Sequence, residues 1–537
     1  MRVAEAVGRV LADLGADRAF GLVGSGNFHV TNALTAAGVR FVAARHEGGA
    51  AVMADAYARL SGRLGVLTVH QGPGLTNALT GIAEAAKSRT PMVVLAADTG
   101  AAGARSNFAL DQAGLAAAVG AAHERAATAD SAVDDAIRAV RRARAERRTV
   151  VLSLPLDVQA GEATVPPSVV LPDEPLVAPA PAAVGQLADL LAGAQRPVFI
   201  AGRGARAAGP ALADLAERCG ALLATSAVAK GLFSGPWYLD VAGGFAAPLA
   251  AELIRGADVI VAWGCTLSMW TTRHGRLIAP GATVAQVDVE PAALGANRRI
   301  DLGVVGDVAA TARAVLAVVP PSRGYRTGPP PHGARWRDVP FSDETGLGRI
   351  DPRTLSIALD DLLPAARVVA VDSGNFMGYP SMYLSVPDER GFCFTQAFQS
   401  VGLGLSTAIG AALAQPERLP VAALGDGGYL MGISELDTVV RLGLPMMIVV
   451  YDDAGFGAEV HHFGPDGYPL DTVTYPDTDL AAIGRGYGCA GVTVREPADL
   501  DAVREWLAGP RERPLVVDAK VVANRGSWWL EEAFRGH

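Results

Sequence analysis

The chain has 537 residues, of which 50% are hydrophobic and 19% charged, with 62 glycines and 34 prolines. At roughly 100 to 200 residues per domain this is about three domains with full cores, which excludes a peptide hormone, a disulfide mini-scaffold and a globally disordered chain. The formal charge of −9 is spread without long like-charged blocks, which argues against a nucleic-acid or anionic-membrane surface as the main partner.

The first segment, MRVAEAVGRVLADLGAD, spaces its apolar residues at helical intervals among charges and lacks the unbroken apolar core of a secretory signal. No apolar run reaches the roughly 18 residues of a membrane span. Cys219, Cys265, Cys393 and Cys489 lie far apart with no CxxC pair, so neither a disulfide framework nor a zinc site is indicated and a cytoplasmic location is expected. Proline crowds two stretches, 166–181 and 320–331, which favours extended linkers there and divides the chain into domains at 1–165, 182–320 and 345–537, with linkers at 166–181 and 321–344. Each piece alternates short β-branched runs with Ala/Leu helical patterns such as 116–145. That is the βαβ signature, and the expected fold is α/β, three doubly wound parallel-sheet domains. Expected strands include 64–70, 91–97, 149–154, 258–264, 282–289, 367–372, 420–426 and 445–452.

In the first piece, VRFVAARHEGGAAVMADAYARLSG reads as a strand, a junction and a helix beginning near Gly48. Glu47 sits at the junction, followed by small residues that allow close packing, which would shield its carboxylate, raise its pKa and suit it to proton exchange. The alternative is simple capping of the helix N-terminus. Next, TVHQGPGLTNALTG ends a strand at His70, turns through Gly72, Pro73 and Gly74, and places Asn77 on the first turn of a helix. Such an element holds a flat heterocycle or merely connects a strand to a helix. The central piece carries Gly202, Gly204 and Gly209 after a strand, a spacing that departs from the dinucleotide fingerprint GxGxxG.

In the third piece, PVAALGDGGYLMGISELDTVVRLGLPMMIVVYDDAGFG forms one βαβ unit with Asp426 ending one strand and Asp453 ending the next, 27 positions later. Parallel strands set their carboxyl ends side by side, so the two carboxylates can meet there. A divalent cation such as Mg2+ would take oxygens from Asp426, Asp453 and the carbonyl near Gly455. Gly427 and Gly428 let a diphosphate approach the backbone at a helix start.

Together HEGGAA, GPGLTN and GDGG followed by DAG resemble the thiamine diphosphate enzymes of the acetolactate synthase, pyruvate oxidase and 2-oxo acid decarboxylase group. The likeness spans nearly the whole chain, including VDVEPAALGANRRIDLGVVGD of the central piece. It implies pyrimidine-binding, central and diphosphate-binding domains in that order. It also implies a thiamine diphosphate and Mg2+ cofactor at a dimer interface, within a homodimer or tetramer, and Glu47 donated across that interface to hydrogen-bond the pyrimidine N1′. By the same likeness Gly72, Pro73 and Asn77 stand on the pyrimidine side. Val401, where many relatives have a larger residue, and the backbone of Gln399 face the pyrimidine. Gly374, Asn375, Phe376, Gly425, Asp426, Gly427, Gly428, Asp453 and Gly455 lie along the diphosphate and metal. Asp453 stands where Asn is more usual, which adds negative charge beside the diphosphate.

The resemblance narrows the substrate to a 2-oxo acid, with a carbonyl acceptor where an acyl unit is transferred. The expected function is decarboxylation followed by carboligation, with simple decarboxylation as the runner-up. A catalytically inert cofactor binder is opposed by the intact Glu47. His70 matches a proton-transfer histidine of some aryl decarboxylases, His29 has a weaker claim, and Glu459, His461 and His462 lie on a segment resembling a helix that closes over the site in relatives. Residues 107–109 lack the usual glutamine of acetolactate synthases, and Thr266 replaces an arginine of flavin-binding relatives, so FAD is not expected.

Overall fold

The computed structural model describes residues 1–100, 103, 105–166, 168–172 and 176–535. Parts of the expected first linker, residues 167 and 173–175, and of the last domain, residues 536–537, lie outside the described residues. Three six-stranded sheets form among the described residues, and every strand pair within them is parallel. Parallel sheets need apolar cover on both faces. Met92–Asp98 and Thr149–Pro155 accordingly are buried along their whole length.

The first and third sheets share one strand order. Spatially the first runs Arg40–Ala43, Arg18–Gly21, Gly65–Val69, Met92–Asp98, Thr149–Pro155 and Ala122–Arg125. The third runs Phe392–Phe394, Arg367–Val371, Leu419–Gly425, Met447–Asp452, Leu515–Lys520 and Ala490–Val494. Numbered within each domain, both stand 2-1-3-4-6-5. The central sheet, read from Tyr238–Val241 to Leu302–Val305, stands 3-2-1-4-5-6, the order of dinucleotide-binding folds.

The first and third domains share a core. Helix Glu47–Ser61 of the first lies against helix Gly404–Ala414 of the third. Small residues make this approach possible: a β-carbon on Gly410 would overlap the carbonyl of Met53. Phe20, Met53, Leu405, Ile409 and Val450 thus belong to one continuous apolar cluster. No helix among the described residues is long and apolar enough to cross a membrane.

Three expectations need adjustment. The Ala-rich stretch 116–145 is not one helix but two, Gln112–Ala118 and Ala132–Ala145, with the strand Ala122–Arg125 between them. Gly120, at φ 79°, makes the turn that ends the first. The second proline-rich stretch is not free of pairing, because Ser322 N donates to Arg218 O at 2.9 Å and Tyr325 N to Gly220 O at 2.9 Å. Asn77 stands one turn inside its helix, since Pro73 already occupies the first helical position.

Candidate active site

The carboxylate pair of the third domain follows directly from strand register. Gly425 pairs with Tyr451 across adjacent parallel strands, so the residues that follow each strand leave the sheet side by side. Asp452 and Asp453 divide the work. Asp452 accepts from Lys520 Nζ at 2.6 Å and from the Ala454 backbone N–H at 2.9 Å, which fixes the loop. Asp453 turns to the other side and accepts from Asn375 Nδ2 at 3.1 Å. Burial first, then the charges of Asp453 and Asp452, push the Asp426 carboxyl well above the usual range. Burial also pushes Asp453 up, against the hydrogen bond from Asn375.

Asp426, Asp453 and Asn375 line a cavity of about 490 Å³. Every third-domain residue expected at the cofactor, from Gly374 to Gly455, stands on its wall. The wall is built for close approach: a β-carbon on Gly427 would lie 2.7 Å from the Phe456 ring, and one on Gly428 would overlap the Asp372 carboxylate. Two buried polar atoms there have no hydrogen-bond partner, the acceptor Asn375 Oδ1 and the donor Gln396 Nε2, and each would gain one from a bound polar group. A divalent cation fits the donor chemistry, because two mutually repelling carboxylates beside the Gly455 backbone are hard oxygen ligands. Among the described residues no group of three His, Cys, Asp or Glu side chains forms a metal site. Asp426 and Asp453 would therefore hold a cation only together with carbonyl, water or phosphate oxygens.

The first-domain residues form a second cluster. Glu47 is the first residue of its helix and is buried, yet it does not cap it; the His46 ring accepts from Gly48 N–H at 3.0 Å instead. The Glu47 carboxylate accepts from Asn77 Nδ2 at 3.1 Å. His70 follows its strand and accepts at Nδ1 from the Gly26 N–H at 3.0 Å, which leaves Nε2 to carry the proton of the neutral ring. Burial pulls its pKa down, with the Glu47 charge opposing. Gly72, at φ 69°, caps the following helix. Asn77 and Pro73 are solvent-exposed, and His29 is exposed on helix Phe28–Ala36. None of Glu47, His70, Gly72, Pro73, Asn77 or His29 lines the third-domain cavity. Within one chain the two clusters stay apart.

Of the three polar groups Glu459, His461 and His462 after the Asp453–Gly455 loop, Glu459 lines the cavity. His461 is half-buried with Nε2 lacking a partner, and His462 stacks on Phe534 at 4.0 Å between ring centres. Leu530, Ala533 and Phe534 of the C-terminal segment complete the wall, and nothing in their sequence marks them. Gln396 and Met431 were also missed. Gln396, three residues before Gln399, could have been found from the same loop. Gln112 serves structure: it donates to Ala97 O at 2.8 Å and accepts from Ser153 Oγ at 2.6 Å. In the central sheet the strand order reverses between Val259–Trp263 and Pro197–Ala201. There Gly202 N donates to Trp263 O at 2.9 Å and Gly204 N to Gly264 O at 3.0 Å, so these glycines serve backbone-to-backbone packing.

Family models for the N-terminal TPP binding domain, central domain and C-terminal TPP binding domain of thiamine pyrophosphate enzymes match residues 1–128, 184–315 and 372–519. A probable 2-ketoarginine decarboxylase, AruI, of Pseudomonas aeruginosa is 31% identical over 515 residues, 94% of this chain and 91% of the relative. The chain belongs to the thiamine pyrophosphate enzyme family. Other thiamine pyrophosphate enzymes similar to it carry different names. A sulfoacetaldehyde acetyltransferase of Alcaligenes xylosoxydans xylosoxydans is 31% identical over 487 residues, 83% of this chain and 80% of the relative. The acetolactate synthase isozyme 2 large subunit of Escherichia coli K12 is 29% identical over 528 residues, 94% of this chain and 93% of the relative. This thiamine pyrophosphate enzyme is thus similar over most of its length to proteins named as a decarboxylase, an acetyltransferase and an acetolactate synthase alike.

Proposed function

We propose that the protein is a thiamine diphosphate- and Mg2+-dependent decarboxylase of a 2-oxo acid that finishes its reaction by protonating the remaining acyl unit and releasing an aldehyde. It acts in the cytoplasm as a homodimer, alone or paired into a tetramer. The observation that carries this is the third-domain cavity, where the Asp426–Asp453 pair and the carboxylate of Glu459 share one wall. When bound, the cofactor would supply the nucleophilic carbon and the electron sink that decarboxylation of a 2-oxo acid needs.

Asp426, Asp453 and the Gly455 carbonyl would hold Mg2+, with Gln396 Nε2 and the backbone N–H groups of Gly427 and Gly428 as donors to the diphosphate. Glu47 of a second copy would hold the proton at pyrimidine N1′, its carboxylate oriented by Asn77. The exposed Phe28 of the first domain and the exposed Phe398, Leu430 and Met431 around the cavity support such an interface between copies. Glu459, with His70 of the second copy, would relay a proton to the acyl unit, and Leu530 and Phe534 would keep water out.

A proton-relaying side chain in the cavity competes with any carbonyl acceptor for the acyl unit, which favours protonation. A ligating enzyme is the second reading, supported by the acetyltransferase and acetolactate synthase among its relatives. Incubation of the holoenzyme with a panel of 2-oxo acids separates the two: aldehyde as the main product is expected, with less of it in Glu459→Gln. Hydroxyketone as the main product in the unaltered enzyme refutes the decarboxylase reading.

A further inference from the structure

The first and third domains each bury a glutamate, Glu84 in one and Glu435 in the other, that neither the cavity nor the Glu47 cluster uses and that crosses to the other domain. Glu84 is 0% and Glu435 2% exposed. Each lies on the segment that follows the third strand of its own domain, and each reaches into the other domain. Glu84 Oε2 accepts from the Phe398 N–H at 2.7 Å and Oε1 from the Ala397 N–H at 3.3 Å. Glu435 Oε1 accepts from the Arg45 N–H at 3.0 Å and from the His46 N–H at 3.0 Å. In both cases the carboxylate takes the two successive backbone amides that come immediately before a site residue, Gln399 in one domain and Glu47 in the other. The two sheets have one strand order, so the exchange joins topologically equivalent segments of the two domains.

The loops held in this way need holding. Gln399 adopts φ 65°, a left-handed conformation that is strained for a non-glycine residue and persists only where surroundings enforce it. Its loop is pinned on the far side by Asp372, which accepts from Gly402 N at 3.0 Å and Leu403 N at 3.2 Å. Glu84 supplies the near side. The fit at Glu435 is equally tight: a β-carbon on Gly49 would come within 2.6 Å of Glu435 Oε1, so the glycine in HEGG leaves the carboxylate its place. The helix that carries Glu84 also carries Asn77 seven residues earlier, and Asn77 holds Glu47.

We propose that Glu84 and Glu435 are reciprocal positioning residues, each fixing across the domain boundary the loop that presents the other domain's cofactor-facing group. Neither touches the reacting atoms. The functional half of this proposal rests on the thiamine diphosphate reading above; the structural half does not. The two glutamates differ in a way that can be measured. Glu84 spends one oxygen on each amide, so a glutamine there must lose one of them. At Glu435 one oxygen, Oε1, takes both amides at 3.0 Å, while Oε2 accepts from Thr438 Oγ1 at 2.6 Å and makes only a longer second contact with the Arg45 N–H at 3.3 Å, so a glutamine can keep both shorter amide bonds and donate to the threonine.

The test measures backbone hydrogen exchange by mass spectrometry on the full-length protein without cofactor, and thiamine diphosphate binding with Mg2+ by calorimetry. Loss of a charge-assisted hydrogen bond predicts exchange about tenfold or more faster at 395–401 in Glu84→Gln and at 43–47 in Glu435→Leu. Each of these variants should also bind the cofactor about tenfold more weakly. Glu435→Gln should match the wild type in both measurements, and Gly49→Ala should mimic Glu435→Leu. Unchanged exchange in Glu84→Gln, or equal loss in Glu435→Gln and Glu435→Leu, overturns the proposal. If Glu435→Leu does not fold, Gly49→Ala and the glutamine pair still decide it. Absence of cofactor binding by the wild type would overturn the cofactor reading and leave the exchange result to decide the clamp alone.

Discussion

The first and third domains are built on one strand order, yet their sites draw on different parts of it. In the third domain the ends of the third and fourth strands converge, and Asp426 and Asp453 meet because the parallel register leaves them no other arrangement. In the first domain the corresponding strand ends carry His70 and Asp98, and Asp98 is spent on an ion pair with Arg125. The group proposed to work there, Glu47, comes instead from the junction after the second strand. One topology can therefore present a repelling carboxylate pair or a single buried acid, according to which strand end carries the charge. The pair asks for a cation and the single acid for a proton partner.

The sharpest way to break this contrast is to neutralise one site of each kind. Glu47→Gln keeps the hydrogen bond to Asn77 in shape but removes the acid; turnover should fall by about 10²- to 10⁴-fold with an unchanged melting temperature. The same variant should still be stabilised by Mg2+ with thiamine diphosphate, since the third-domain cavity is intact. Asp426→Asn should do the reverse. It relieves the repulsion with Asp453, so the cofactor-free chain should melt no lower than the wild type, while added Mg2+ and cofactor no longer raise the melting point. Thermal unfolding with and without ligands reads both variants. A Mg2+ and cofactor shift retained in Asp426→Asn, or lost in Glu47→Gln, would show that the two sites do not divide in this way.

How much of this was legible in the sequence follows the same divide. Much of the third-domain cavity wall was readable: GDGG and DAG are local to one βαβ unit and follow adjacent strands, while Gly374, Asn375, Phe376, Gln399 and Val401 came only from the family resemblance. Glu459 was readable as a candidate on its helix but not as the one of three that faces inward, since helix phase depends on packing. The first-domain cluster was readable as motifs but not as geometry. That Asn77 holds Glu47, or that the Gly26 amide fixes the His70 tautomer, depends on loops far apart in sequence. The strands missed were mostly short ones such as Tyr238–Val241 and Phe392–Phe394, whose pairing is imposed by neighbours more than by their own pattern. Glu84 and Glu435 were invisible because both look like ordinary helix-surface acids until the two domains close on each other.

Glycine substitutions sharpen the comparison at smaller scale. Gly428→Ala drives a β-carbon into the Asp372 carboxylate, which is held on the other side by the Gly402 and Leu403 amides and cannot retreat without breaking them. A loss of about 1 to 3 kcal/mol is expected, together with a blocked diphosphate wall. Gly48→Ala, the comparable change in the first domain, places its β-carbon 3.0 Å from His46 Nδ1 and 3.1 Å from Asn77 O. The ring can swing by the few tenths of an ångström required, so the cost should be smaller than for Gly428→Ala. Urea unfolding of the two variants side by side checks the order, and equal losses would contradict it.

The smallest expected effect lies at His70. Burial holds its pKa below the ordinary value of about 6.5, so the folded chain keeps the ring neutral while the unfolded chain titrates normally. Above that value both states are neutral and the group contributes nothing to pH dependence. As pH falls through it, the unfolded state takes up a proton that the folded state refuses, and stability drops. Glu47 opposes the shift through its charge, which gives the two first-domain groups a measurable link. In Glu47→Gln the carboxylate is gone, so the His70 ring should titrate lower still, followed by nuclear magnetic resonance of labelled histidine. A ring that titrates above the ordinary value, or that ignores the loss of Glu47, would mean that the two do not sense each other and that the first-domain site is not a single electrostatic unit.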